Sequence, residues 1–271
     1  MSSSTKSSKG EPKLPEEDVP DSAVRRRMLK SFGWFAVASV VPIGIYNWIK
    51  RSPKAMGTLK PLRDILNTNE AIARTYFSNT HLVRTYPVEE AAPKARTNGY
   101  DGLKSPVPED WKLTIETPDK QPLQLTIDDI KALPKQEIVY EFKCIEGWSQ
   151  IQHWGGVRLS DFMAHHKLGT HSGNAPNPEA THDLFKYIGL ETPDKGYYVG
   201  IDMESALHPQ TLLAYELNGQ PITAPHGAPL RLIIPVKYGV KNLKRIGRLF
   251  FADERPRDFW AERGYDYYVG L

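Results

Sequence analysis

The chain has 271 residues, 40% of them hydrophobic, enough to bury a sizeable core without help from a disulfide or a structural metal. Its 35 basic and 32 acidic residues leave a net charge of +3, too mild and too mixed to point to nucleic acid, and no nucleic-acid-binding motif is present. The only cysteine, Cys144, excludes an intramolecular disulfide and a four-cysteine zinc or iron–sulfur site, and leaves the redox compartment open.

Residues 1–24 are rich in Ser, Lys, Glu and Pro, with few apolar side chains, and are expected to form a disordered tail. The basic run Arg25-Arg26-Arg27-Met28-Leu29-Lys30 then leads into Ser31–Ile49, which contains no charged residue. At ~1.5 Å per residue that stretch spans roughly 28 Å, close to the ~30 Å of a bilayer's hydrocarbon core. Trp34, Tyr46 and Trp48 suit the two interfaces, so residues 25–50 read as one transmembrane helix. Lys and Arg are balanced across it, with five in residues 11–30 and five in 50–69, so the flanking charge sets no orientation. The run Arg25–Lys30 is similar to a twin-arginine export signal, with Met28 where Phe is commonest. No convincing small-x-small cleavage site follows Ile49, and the expectation is an uncleaved anchor on the periplasmic side of the inner membrane.

Residues 51–271 are read as a single domain. Leu62–Arg74 has weak helical character, and 87–94 reads as irregular. Trp111–Ile115 and Leu123–Ile127 alternate as strands, and Thr126 with Asp129 marks the start of a short helix that Pro134 stops. Ile138–Phe142 is a strand by its β-branched and aromatic content, and it ends at Cys144. Ser160 is expected to cap a short helix through Phe162 and Met163. Gly169–Thr181 is a loop, and Tyr187–Leu190, Tyr197–Ile201, Leu212–Leu217 and Leu230–Ile234 are further strands. Asn218-Gly219 is a strong turn signal. Short strands mixed with short helices, without a regular βαβ period, predict an α+β domain.

A lone thiol is an inert buried group, a nucleophile, or one soft ligand to a metal held mainly by something else. Its surroundings, a strand end followed by Glu146, Gly147 and Trp148, suit a site better than a core. Three stretches stand in order: Cys144-Ile145-Glu146-Gly147-Trp148-Ser149 with Trp154-Gly155-Gly156, then Tyr187–Thr192, then His226–Lys244, followed by Ile246-Gly247 and Glu254-Arg255-Pro256. Together they resemble the molybdopterin-binding domain of the sulfite oxidase superfamily, most closely the catalytic subunits of periplasmic methionine-sulfoxide reductase systems. The likeness covers roughly residues 70–268.

That resemblance implies a sulfite-oxidase-type fold of mixed β-sheets with short helices and a molybdenum–molybdopterin cofactor. It makes Cys144 the one protein thiolate on the metal. It also implies cofactor contacts at Thr192, His226, Arg231, Asn242, Leu243 and Lys244, and at Asn79 and His81 in a degraded upstream motif. Lys237 and Lys241, with Arg231 and Lys244, are candidate donors to the pterin phosphate. Glu146, two residues past the ligand and expected on the same side of an extended chain, is the candidate proton carrier. Oxygen-atom transfer is a two-electron step, and no haem or cluster motif is present, so a haem-bearing membrane subunit or a soluble cytochrome is the implied electron partner. The expected substrate is a small or protein-borne sulfoxide, such as oxidised methionine. Sulfite oxidation is the alternative, disfavoured because no arginine stands between Cys144 and Arg158. A membrane-tethered module without chemistry is the rival from another class.

Overall fold

The computed structural model describes residues 21–78, 80–117 and 120–270, and the chain divides into two units, Met1–Ser52 and Pro53–Leu271. In the first, the uncharged run forms α1 (Asp21–Arg51), with Pro42 inside it. Apolar side chains from Met28 to Trp48 are exposed around this helix, and an 18-residue window of mean hydropathy 1.5 is 0% buried. By length and composition it is apolar enough to cross a membrane. The helix also takes in Asp21–Val24, which composition placed in the tail, because an apolar helix propagates easily into flanking residues such as Ala and Arg.

The second unit begins with a small antiparallel pair, β1 (Lys54–Ala55) and β2 (Thr58–Leu59), followed by α2 (Lys60–Tyr76). The buried guanidinium of Arg63 on α2 donates to the carbonyls of Met56 and Ala261 (3.1 and 2.6 Å). It reaches Tyr265 O at 2.9 Å as well, which ties α2 to the C-terminal segment. Next come β3 (Leu113–Thr117), β4 (Lys120–Leu125) and α3 (Ile127–Lys131). Thr126 and Asp129 form a reciprocal capping box at the start of α3, as their spacing predicts.

Then follow β5 (Lys135–Lys143), β6 (Ser149–Arg158) and α4 (Leu159–His166). The N-cap of α4 is Arg158, with no side-chain cap, so the expected role of Ser160 is corrected: the chain turns helical directly off the end of β6. The rest are β7 (Tyr187–Glu191), β8 (Tyr198–Asp202), α5 (Met203–Ala206), β9 (Leu212–Leu217), β10 (Gln220–Pro221), β11 (Arg231–Ile233) and β12 (Arg248–Ala252).

Among the described residues, the remaining strands form two five-stranded sheets. One has the order β10-β9-β6-β5, all antiparallel, with β11 also paired to β9. The other has the order β4-β3-β12-β7-β8 and is mixed, because β12 runs parallel to β3 and antiparallel to β7. Alternate residues of β6 and β9 serve different cores. Val157 and Leu213 join Leu113, Ile188, Leu249 and Phe162 in the large core shared by both sheets and α4. Trp154, Leu212 and Ala214 face the other way, with Tyr140, Phe142 and Ile233, in a smaller cluster. The first sheet is therefore covered on both faces, and its β5–β6 end carries the only cysteine. The architecture is the expected α+β one, with mixed sheets and few helices.

Candidate functional site

A tight turn, Cys144–Gly147, joins β5 to β6, and Gly147 allows it by taking a φ of +88°. The Gly147 N–H donates to Cys144 O (3.0 Å), and the Cys144 N–H donates to Trp148 O (2.9 Å). Cys144 is buried at the strand end, whereas Glu146 is exposed at the tip. The two do not share one side of an extended chain, as the sequence suggested, because the backbone reverses between them. Both nevertheless line one cavity of about 160 Å³.

Facing them are β11 and the segment that follows it. Arg231 is buried and donates to His226 O (2.8 Å) and Asn242 O (3.2 Å), with its guanidinium 4.6 Å from the Trp154 ring centroid. Burial pushes this guanidinium down to about 10. Asn242 staples its loop, since its Oδ1 accepts from Ile234 N–H (2.8 Å) and its Nδ2 donates to Tyr238 O (3.2 Å). His226 bonds Thr223 Oγ1 (2.9 Å) and the carbonyl of Ala95 (3.2 Å), and burial holds its imidazole below the usual histidine range. Lys244 donates to the carbonyls of Asn98 (2.6 Å) and Gly99 (3.1 Å). Burial, then the charge of Arg231, push its ammonium down to about 8. The cavity thus gathers Cys144, Glu146, His226, Arg231, Asn242 and Lys244.

Other sequence-predicted residues are placed elsewhere. Lys237 and Lys241, expected as phosphate donors, do not line this cavity. Lys237 is buried against Asp202 (3.0 Å), and Lys241 against Asp258 with a bond to Gly200 O (2.8 Å), because a buried ammonium requires an anionic or carbonyl partner. Thr192 is used within the β7–β8 connection, where its Oγ1 donates to Asp194 (2.7 Å) and accepts from Tyr197 N–H (3.1 Å). Leu243 is a fully buried core residue whose carbonyl receives Leu232 N–H at 2.8 Å. His81 is exposed and borders a separate groove with Tyr76 and Arg84. Asn79 lies outside the described residues.

The far wall of the cavity, for which no motif prepared, is the segment around 96–101. Arg96 lies 4.5 Å from the Trp148 ring, and the Asn98 amide donates to Cys144 Sγ at 3.6 Å. Tyr197, Trp260 and Tyr265 complete an aromatic side. Asn98-Gly99 is a local turn signal, and Gly99 does take a φ of +73°, but nothing local ties it to a thiol 46 residues later.

A family model described as the oxidoreductase molybdopterin binding domain matches residues 102–260. A protein of Azospira oryzae described as a putative protein-methionine-sulfoxide reductase subunit YedZ1 is 38% identical over 146 residues, 54% of this chain and 50% of that protein. The protein-methionine-sulfoxide reductase catalytic subunit MsrP of Xanthomonas campestris pv. campestris is 28% identical over 270 residues, 92% of this chain and 77% of that one. The chain thus spans about half the length of the first of these relatives. The solved sulfane dehydrogenase SoxCD of Paracoccus pantotrophus shares 22% identity at a TM-score of 0.44, over 54% of this chain and 39% of that one.

Proposed function

Because the chain belongs to the oxidoreductase molybdopterin-binding domain family, we propose that it is a molybdenum–molybdopterin enzyme of two-electron oxygen-atom transfer, reducing sulfoxides such as methionine sulfoxide in proteins. The observation that carries this reading is the convergence of the only cysteine with Glu146, His226, Arg231 and Lys244 on one cavity.

The residues fit the cofactor. Cys144 is a single soft ligand, the number that a metal already held by a dithiolene has room for. Two donors of cavity-lining residues, Arg231 Nε and Trp148 Nε1, are buried without hydrogen-bond partners among the described residues, and a phosphorylated pterin rich in acceptors would satisfy such groups. When bound, the cofactor supplies a metal that exchanges two electrons and an oxygen atom. Cys144 would hold the metal, while Arg231 and the remaining donor of Lys244 would meet the pterin and its phosphate. Asn242 acts by fixing the loop that carries Lys244. The Glu146 carboxylate, exposed at the turn, takes and returns the proton. Thr192 and Leu243 shape the frame, and His81 borders the separate groove.

The relatives' names support the sulfoxide substrate. Although no arginine stands between Cys144 and Arg158, Arg96 lines the cavity from a distant segment, so sulfite is not disfavoured on that ground. Arg96, which is not committed to the pterin, favours sulfite oxidation as the second reading. In the same proposal α1 anchors the chain on the periplasmic side of the inner membrane after twin-arginine export, and a haem-bearing membrane subunit or soluble cytochrome exchanges the electrons. The decisive experiment is metal and pterin analysis of the full chain purified in detergent, with methionine sulfoxide reduction and sulfite oxidation assayed side by side. One molybdenum and one pterin per chain, with turnover lost in Cys144→Ala, is the expected result. A wild-type chain with neither overturns the reading and leaves the non-catalytic module.

A further inference from the structure

The segment from Ala92 to Ser105 has no strand or helix of its own, yet it forms one wall of the cavity. Side chains arriving from elsewhere set its course. Asn218 Nδ2 donates to Ala92 O (3.0 Å), and Gln150 Oε1 accepts from Arg96 N–H (2.8 Å). Lys244 grips the carbonyls of Asn98 and Gly99, and Arg245 donates to Ser105 O (2.5 Å). Gly102, at φ +73°, presses so closely on Thr192 that an added Cβ would lie 2.4 Å from Thr192 Cγ2. With the backbone pinned on both sides, the Asn98 side chain has a defined target: its Nδ2 lies 3.6 Å from Cys144 Sγ. An asparagine amide donates two hydrogens, and a sulfur that ligates a metal remains an acceptor.

We propose that Asn98 is a positioning residue for the cysteine ligand, holding Cys144 Sγ by an N–H···S hydrogen bond that sets how strongly the sulfur donates to the metal. The inference rests on Cys144 being that ligand. Asn98 lies ahead of the residues matched by the family model, on a segment that this chain fastens with its own side chains. A donor on a ligating sulfur withdraws charge from it, weakens donation to the oxidised metal and raises the reduction potential. Lys244, in this arrangement, works partly through Asn98 by fixing the carbonyl of the same residue.

The test compares full-length wild type with Asn98→Leu, which keeps the volume and removes the donor, and with Asn98→Gln, which restores an amide. In molybdenum-loaded protein, Asn98→Leu is expected to lower the midpoint potential of the metal and shift the sulfur-to-molybdenum charge-transfer band to longer wavelength, with Asn98→Gln returning part of both. A loaded Leu variant with wild-type potential and band overturns the proposal. The second measurement needs no cofactor: iodoacetamide labels Cys144 in the unloaded chain, and the rate is expected to fall severalfold in Asn98→Leu, because the N–H that favours the reactive thiolate is gone. Equal rates also overturn it. A wild-type chain without molybdenum is instead a failure of the functional reading, visible before any variant is made.

Discussion

Replacing Lys237 by Met distinguishes a structural ion pair from a contact to the pterin phosphate. In the folded protein Lys237 and Asp202 are both buried and 3.0 Å apart. Burial pushes the ammonium down to about 8, against the pull of Asp202. Burial also pushes the Asp202 carboxyl up, and Lys237 together with the Ser205 N–H reverses this, leaving it below its ordinary value. Removing one partner of such a pair strands the other charge, at a cost of about 3–5 kcal/mol. For a domain of this size that is a melting temperature lower by roughly 6–20 °C, at about 2–4 °C per kcal/mol. The double variant Lys237→Met/Asp202→Asn is expected to recover most of the loss, because Asn can still cap α5 where Asp202 now accepts from Ser205 N–H (2.9 Å). The pH dependence has a defined sign. The unfolded lysine keeps its proton up to its ordinary value of 10.5, whereas the folded one releases it near 8. The unfolded state therefore binds more protons between those values, and this group's contribution to stability rises with pH across that window, a rise the Met variant lacks. Thermal unfolding of the unloaded full chain by circular dichroism, with molybdenum per mole measured separately, makes the test. An unchanged melting temperature together with lost molybdenum refutes the ion-pair reasoning and restores Lys237 to the cofactor.

Arg231→Ala is expected to lower molybdenum occupancy and, by freeing the carbonyls of His226 and Asn242, to destabilise the unloaded chain by about 3 kcal/mol, read as a shifted urea midpoint. Gly156→Ala places a Cβ 2.1 Å from Leu213 O, where β6 bulges against β9, and overpacking of this kind costs about 1–3 kcal/mol in the same assay. Replacing Arg25 and Arg26 by Lys keeps the charge but removes the arginine pair. If the twin-arginine reading holds, the domain stays protected from protease in spheroplasts of the variant and is digested in wild type; digestion in both shows that the arginines act only as flanking charge.

Elements whose signal is local were legible in the sequence. The helix of α1 follows from an uncharged run, the capping box of α3 from Thr126 and Asp129, and β7 and β9 from their apolar content. The turn at Asn218-Gly219 follows from two residues that tolerate the positive φ values, +52° and +69°, that they adopt. The order of motifs around Cys144, Arg231 and Lys244 pointed to the cavity that these residues share. The tertiary structure alone decided the rest. Ser149–Arg158 was not recognised as a strand, because its Ser, Gln and His give no clean alternation; it is one because β5 and β9 pair with both its edges, with Gly156 admitting the close approach of Leu213. Lys237 and Lys241 look like a cationic run along the chain, yet Asp202 and Asp258, distant in sequence, turn them inward. Asn98 meets the thiol only because Lys244 and Gln150 hold its segment in place. A sequence pattern reports the burial and turn chemistry of its own segment, whereas a buried charge or an irregular strap takes its position from partners that only the folded chain brings within a few ångströms.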